Sequence, residues 1–274
     1  MFKNFLQKRE NKIKEEDLER KKQARENLRK YLESIDVDIL SGIFSEVYLR
    51  AFPDQKLIKE ALLTKTSELR EKFLKIKVTD MNFLVSAGVN KDGSIIFDRT
   101  FLNKSDSDFS EFLSTYIHEL CHVVSAHRLG LENEEESTSH DNIFTPLNEA
   151  FTEILKDSIY KEYIKRSGDQ VLLKEVPDKA YLQYREIFYI FVDGVTEQSG
   201  VSKDIILESL LGHYLRGDFA HLFKEMWNEL DPENKIKLDD LRYNKSMLSE
   251  LMYDIKCMLS KQNFKEEFNF ILKN

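Results

Sequence analysis

The segment around His118 and His122 constrains the fold of this chain more than any other stretch. It reads Tyr-Ile-His-Glu-Leu-Cys-His and lies among apolar residues with helical spacing. Residues four apart share one face of a helix, so the two imidazoles can bind one metal ion, with Glu119 beside them. The sequence therefore predicts a helix at this point that presents a metal-binding face.

A catalytic metal site of this type usually has three protein ligands and one open position. The metzincin extension of the motif would place Gly at 125 and His at 128, and Ser125 and Arg128 exclude it. Glu149 is the best third ligand, because Thr145 suits the N-cap of a second helix and Pro146 its first position. Acidic residues of the preceding polar run are the competing candidates: Glu132, Glu134, Glu135 and Glu136.

These two segments resemble the motifs of the gluzincins, the zinc peptidase clan that includes thermolysin. The first motif matches at His118, Glu119 and His122. The second motif, Asn-Glu-x-x-x-Asp/Glu, matches with its Glu at Glu149 and its acid at Glu153. The resemblance implies that the two His and Glu149 bind Zn²⁺. It also implies that Glu153 is an outer carboxylate that orients His118, as such groups fix the tautomer of a ligating His.

The resemblance also implies an activity. A gluzincin is a zinc metallopeptidase that hydrolyses peptide bonds of a peptide or protein substrate with a zinc-activated water, and Glu119 would be its general base. The clan places a Tyr or His of the C-terminal lobe near the developing oxyanion. We take Tyr184 and His213 as the candidates for that role here, with Tyr181 and His221 as open alternatives.

Two other functions stay open at this point. A zinc-binding but catalytically silent peptidase-like protein would have a regulatory or partner-binding role, and Cys257 as a fourth ligand would close the site. An interaction module would instead contact a partner through the charged N-terminal helix and bind no metal. The presence of Glu119 favours the enzyme.

Cys121 is predicted to be a packed small side chain, since it lies about 100° round the helix from His122.

Composition limits the partners and the compartment. The net charge of −8 argues against nucleic acid or an anionic membrane as the main partner. The longest apolar run, 187–192, is too short to span a bilayer, and residues 1–34 lack the apolar core of a secretory signal. Cys121 and Cys257 are the only cysteines, which favours a reducing compartment. We therefore expect a cytoplasmic protein, and export by a signal-free route stays open because it would leave the same features.

The predicted fold is α+β and mostly helical, with a zincin-like arrangement of a small sheet on the motif helix and a helical C-terminal lobe. Three domains are expected: a charged N-terminal helix over 1–35, an α/β lobe over 36–127 and a helical lobe over 128–274. Short strands are predicted at 75–78, 82–87 and 94–98. The resemblance to the gluzincins implies that the last of them is the sheet edge at the cleft. The other predicted helices cover 4–34, 36–51, 53–74, 179–199, 202–215 and 218–230.

Overall fold

Helices dominate the computed structural model, which describes residues 2–51, 76–79, 86–90, 94–104, 109–125, 144–168 and 182–216. The helices in these ranges are α1 (Phe2–Glu33), α2 (Val37–Ala51), α3 (Arg99–Leu102), α4 (Phe109–Val124), α5 (Phe144–Ser167), α6 (Leu182–Ser199) and α7 (Lys203–Arg216). The strands are β1 (Ile76–Thr79), β2 (Ala87–Val89) and β3 (Ile95–Asp98). The predicted α+β, mostly helical class is confirmed. The helices predicted at 53–74 and 218–230 lie outside the described residues, and the division into three domains stays a prediction.

Helix α1 is highly charged and lies against the rest of the protein near its C-terminal end. Ala24 is fully buried, whereas Leu18 is 65% exposed. The side chain of Asn27 donates a hydrogen bond to the carbonyl oxygen of Leu102 at 2.8 Å, and Asn103 donates one to Arg20 O at 2.9 Å. Helix α1 is therefore exposed over much of its described length and contacts the rest of the protein near its C-terminal end. No helix in the described part of the chain has the length and apolarity needed to cross a membrane.

Helix α2 begins with a side-chain cap. Asp36 Oδ1 accepts hydrogen bonds from the backbone N–H groups of Asp38 and Ile39, both at 3.0 Å. These donors have no partner within the helix, so a capping carboxylate satisfies them and also opposes the positive end of the helix dipole. The Asp36 N–H in turn donates to the hydroxyl of Tyr163 on α5 at 2.8 Å. The cap thus fixes the start of α2 against the helix that carries Glu149.

Replacing Asp36 by Ala is expected to lower the free energy of unfolding by about 1 kcal/mol, the usual cost of losing an N-cap acceptor. The variant Asp36→Asn keeps an acceptor oxygen at the same place and should retain most of that stability. Urea denaturation followed by far-ultraviolet circular dichroism measures both. An equal loss in the Ala and Asn variants would show that the carboxylate acts by its charge and not as a cap.

The small sheet has the strand order β1-β3-β2. Strand β3 pairs in parallel with β1 and antiparallel with β2, and the Asn90 N–H donates to Ser94 O at 2.8 Å across the hairpin between β2 and β3. The prediction that 94–98 forms the sheet edge is therefore wrong, because this strand is central. The reason is burial: Ile95 and Phe97 are fully buried, and the most apolar strand gains most from neighbours on both sides.

Helix α4 connects the sheet to the helical part of the protein. The ring of Phe112 stacks on Tyr31 of α1 and on Phe97 of β3, with centroid distances of 4.8 and 4.9 Å. Burial extends round most of α4. Its fully or nearly fully buried residues include Phe112, Leu113, Tyr116, Ile117, Leu120, Cys121, Val123 and Val124. Because α4 is packed on most sides, its orientation is fixed, and so is the direction in which His118 and His122 leave the helix.

Helix α5 packs directly against α4, α2 and α6. It begins at Phe144, so the predicted N-cap Thr145 already lies within the helix. Its C-terminal end is closed by Gly168, which has a φ of +68° and donates its N–H to Ile164 O at 3.1 Å. Gly200 ends α6 in the same left-handed conformation, with a φ of +68°. Glycine takes this conformation without the strain that a Cβ atom would cause.

Candidate metal centre

The contact between α4 and α5 brings the predicted ligands together. His118 Nε2 and His122 Nε2 are 3.1 Å apart. The Glu149 carboxylate lies across the pair, with Oε2 at 3.2 Å from His118 Nε2 and Oε1 at 3.4 Å from His122 Nε2. All three side chains are partly buried, at 13, 15 and 20% exposure. Within the described residues, these three form the one group of His, Cys, Asp or Glu side chains that could hold a metal ion.

The spacing of these atoms fits a small tetrahedral ion. Zinc binds imidazole nitrogen and carboxylate oxygen at about 2.0–2.2 Å in tetrahedral sites, which places neighbouring ligand atoms about 3.3–3.6 Å apart. The two nitrogens are 3.1 Å apart, and each lies close to that value from one of the two Glu149 oxygens, at 3.2 Å to Oε2 and 3.4 Å to Oε1. Two imidazoles and one carboxylate are also a donor set that catalytic zinc sites use. The residues present therefore fit a divalent metal ion.

The other ring nitrogen of His118 faces a second carboxylate. Glu153 Oε1 lies 2.5 Å from His118 Nδ1, although the contact is not aligned as a good hydrogen bond, and Nδ1 has no better partner among the described residues. Glu153 is 5% exposed, so its charge is poorly screened by water. A carboxylate at Nδ1 favours a proton there and leaves Nε2 with a lone pair for a ligand.

Charge compensation shapes the pKa values of the centre. Burial disfavours the charged form of His118, but the carboxylates of Glu149 and Glu153 outweigh it and raise the pKa of His118 to about 10. Burial likewise opposes ionisation of Glu149, yet His122 and His118 hold the pKa of its carboxyl well below the usual range. The centre thus stabilises positive charge beside Glu149, which is what a cation site requires.

Glu119 lies in the same environment but is not among the three ligands. It is 6% exposed, and burial raises the pKa of its carboxyl, while the nearby charges of His122 and His118 lower it. A partly desolvated carboxylate beside a cation site is suited to accept and return a proton. The sequence predicted Glu119 at this place from its position between the two His residues.

Among the candidates for the oxyanion donor, His213 alone has a side chain within the described residues. His213 is half-buried on α7, and the side chain of Tyr184 lies outside the description, as do Tyr181 and His221. The next residue of α7, Tyr214, reaches α5. Its fully buried hydroxyl lies 2.8 Å from Thr152 Oγ1. The role assigned to Tyr184 or His213 stays a prediction.

Several other predicted groups can now be located. Cys121 is fully buried, which confirms the prediction of a packed side chain, and burial raises the pKa of its thiol well above the ordinary value. The competing ligands at 132 and 134–136, together with Cys257, lie outside the described residues. Glu149 is therefore the third ligand that the described geometry supports.

One buried cation near the centre was not predicted from the sequence. The side chain of Lys156 is 5% exposed and its Nζ lies 2.6 Å from Glu153 Oε2. The signal that could have revealed it is the spacing Glu153-x-x-Lys156, because residues three apart on a helix are neighbours. Spacing alone shows that the two can pair, but not that the pair is buried.

No protein-family model matches this chain, and no curated protein or solved structure is significantly similar to it. The function must therefore be argued from the residues. They provide a His118, His122 and Glu149 group that could bind a metal ion, in the spacing of a His-Glu-x-x-His helix.

Proposed function

We propose that this protein is a zinc-dependent metallopeptidase of the gluzincin type, which hydrolyses peptide bonds with Glu119 as general base. The observation that carries the proposal is the convergence of three ligand side chains from α4 and α5 within 4.8 Å of one another, with Glu119 buried beside them. Three ligands leave a position for water and substrate, which distinguishes a catalytic site from a closed structural one.

The residues of the chain have separate tasks in this mechanism. His118, His122 and Glu149 would hold the zinc ion, and Glu153 would orient His118 through Nδ1. Zinc, when bound, supplies Lewis-acid chemistry that polarises the substrate carbonyl and makes water more acidic. Glu119 accepts a proton from the attacking water and later donates it to the leaving amine. Tyr184 or His213 is proposed to donate a hydrogen bond to the oxyanion.

The catalytically silent alternative is disfavoured by Glu119. A silent site needs the ligands but has no need of a buried carboxylate next to them, and burying an ionisable group is costly unless it is compensated. Here Glu119 is 6% exposed and feels the charges of both ligating imidazoles. We infer that this carboxylate is kept for proton transfer. The proposed substrate is a peptide or protein.

The proposal is tested first by the zinc content of the purified protein. The wild type is expected to carry about one zinc ion per chain, and Glu149→Ala much less, because two imidazoles alone bind zinc weakly. The matched control is Glu162→Ala on the same helix, where Glu162 pairs with Arg166 at 2.9 Å away from the centre. Elemental mass spectrometry, after purification without chelators, gives the stoichiometry.

The possible results separate the interpretations. One zinc in both the wild type and Glu149→Ala would keep the metal but remove Glu149 from the ligand set. No zinc in the wild type, even after zinc is added back, would contradict the peptidase and favour an interaction module. Loss of zinc in Glu162→Ala as well would show that the effect is a general consequence of losing an acidic residue on α5.

A further inference from the structure

Lys156 is a buried charge that the proposed mechanism leaves without a task. Its side chain is 5% exposed, in the middle of α5 and two turns beyond the ligand Glu149. Lysine is rarely buried to this degree unless its charge is paired, since the ammonium group loses its water. A buried Lys close to a metal centre therefore needs a physical reason.

The reason lies in how Lys156 shares the carboxylate of Glu153. Lys156 Nζ lies 2.6 Å from Oε2 of Glu153, and the other oxygen, Oε1, lies 2.5 Å from His118 Nδ1. The ammonium group therefore engages one oxygen and leaves the second for the imidazole. Glu153 is 5% exposed, so water cannot take the place of either partner. The direction of the carboxylate depends on both neighbours.

Lys156 also forms a second ion pair, with Asp157. Its Nζ lies 3.3 Å from Asp157 Oδ1, and Asp157 Oδ2 accepts a hydrogen bond from Arg185 Nη2 of α6 at 2.7 Å. We call Glu153, Lys156, Asp157 and Arg185 the charge row. Signs alternate along it, so each group is compensated by its neighbours. The charge row links His118 to a helix that provides none of the three metal ligands.

We infer that Lys156 is a positioning residue of the metal centre, which fixes Glu153 so that this carboxylate orients His118 for its ligand. The inference rests on the proposed function, since it assigns a task within the same zinc site. A buried ion pair is in general weak support for stability, because apolar residues of the same volume often serve as well. The Lys156–Glu153 pair differs because Glu153 also contacts His118. An apolar replacement of the pair could not orient that imidazole.

The charge of the centre supports the same conclusion. Glu119, Glu149 and Glu153 lie close together and at low exposure, at 6, 20 and 5%. A divalent ion bound to the ligands leaves one of the three negative charges without compensation. The ammonium of Lys156 is a buried cation placed next to them, and it makes the sum neutral. Removing it would take away the cation that lies 2.6 Å from Oε2 of Glu153.

The test replaces Lys156 by Met, which keeps the length of the side chain and removes the charge, and by Arg, which keeps the charge. The readout is zinc affinity, measured by competition with a chromophoric chelator. Changes in the outer partners of ligating His residues typically weaken metal binding about 10- to 100-fold. We expect Lys156→Met to weaken zinc binding by about tenfold and Lys156→Arg to restore most of it. Cobalt substitution adds a spectroscopic readout, in which Lys156→Met should change the visible bands and Lys156→Arg should not.

A double-mutant cycle with Glu153 separates positioning from general destabilisation. If Lys156 acts through Glu153, Lys156→Met should have little further effect on zinc affinity in a Glu153→Gln background. A loss of the same size in both backgrounds would overturn the inference. If Lys156→Met fails to fold, the cycle is run with Asp157→Asn, which releases Lys156 from its outer partner and is expected to weaken zinc binding only when Glu153 is present.

The control is Lys203→Met on α7. Lys203 Nζ lies 2.6 Å from Asp193 Oδ1 in an exposed pair, so its loss removes a Lys–Asp contact away from the metal centre and should leave zinc affinity unchanged. Unchanged affinity in Lys156→Met, with zinc bound in the wild type, would overturn the inference and leave the peptidase proposal standing. Absence of zinc binding in the wild type would overturn both.

Discussion

Replacing Glu119 by Gln is expected to reduce peptide hydrolysis by about 100- to 10,000-fold, the range that a positioned general base contributes, while zinc stays bound at the wild-type level. Gln has the same shape as Glu but cannot accept a proton from water at neutral pH. Glu119 is not one of the three grouped ligand side chains, so we expect zinc to bind without its carboxylate. The measurement pairs initial rates on a quenched-fluorescent peptide library with zinc per chain by elemental mass spectrometry.

The control for this variant lies on the same helix. Glu111 forms an ion pair with Lys104 at 3.3 Å on the exposed part of α4, and Glu111→Gln should hydrolyse the library as the wild type does. Full activity in Glu119→Gln with zinc intact would remove Glu119 from the mechanism. Loss of zinc together with activity would place Glu119 among the ligands instead. A wild type that binds zinc but cleaves nothing in the library would favour the catalytically silent alternative.

The ligand arrangement could be predicted because it depends on local geometry. His118 and His122 are one helical turn apart, and this alone places their Nε2 atoms close together, at 3.1 Å in the structure. Glu149 needed a further step, since it lies on a different helix. The resemblance to a two-motif pattern supplied that step, and the described contact between α4 and α5 agrees with it.

The strand order could not be predicted, because it depends on which strands pair with one another in the folded protein. The resemblance placed the strand at 94–98 at the sheet edge, but its residues alone do not distinguish an edge strand from a central one. Its position is decided by the core, where Phe97 is fully buried and stacks on Phe112. The parallel pairing of β1 with β3 is also a contact between segments distant in sequence, and no local pattern encodes it.

The burial of Lys156 and the direction of Tyr214 show the same limit within helices. Helical spacing predicts that Lys156 lies near Glu153, but α6 provides the Arg185 that completes the charge row. His213 and Tyr214 are adjacent, so they point about 100° apart, and either could have faced α5. In the structure Tyr214 packs against α5, where its ring centroid lies 5.1 Å from that of Phe151. Such choices depend on tertiary contacts rather than on local sequence.

Replacing Phe112 by Ala is expected to have the largest effect on stability, a loss of about 3–5 kcal/mol in the free energy of unfolding. Phe112 is fully buried, and its ring contacts Tyr31, Phe97 and Tyr116 at centroid distances of 4.8, 4.9 and 6.0 Å. These contacts join α1, β3 and α4 at one point. Removal of the ring leaves a cavity that rigid neighbours on three elements cannot fill.

The matched control is Phe109→Ala, one helical turn earlier on α4. Phe109 is only partly buried, and its ring lies 6.3 Å from that of Tyr31, so its loss should cost clearly less. Urea denaturation of the two variants gives the difference, and chelator competition on the folded protein should show wild-type zinc affinity in Phe109→Ala. Equal losses of unfolding free energy in both variants would show that the packing of α1, β3 and α4 does not depend specially on Phe112. A larger loss in Phe112→Ala would mean that the sheet and α1 hold the helix of His118 and His122 through this ring.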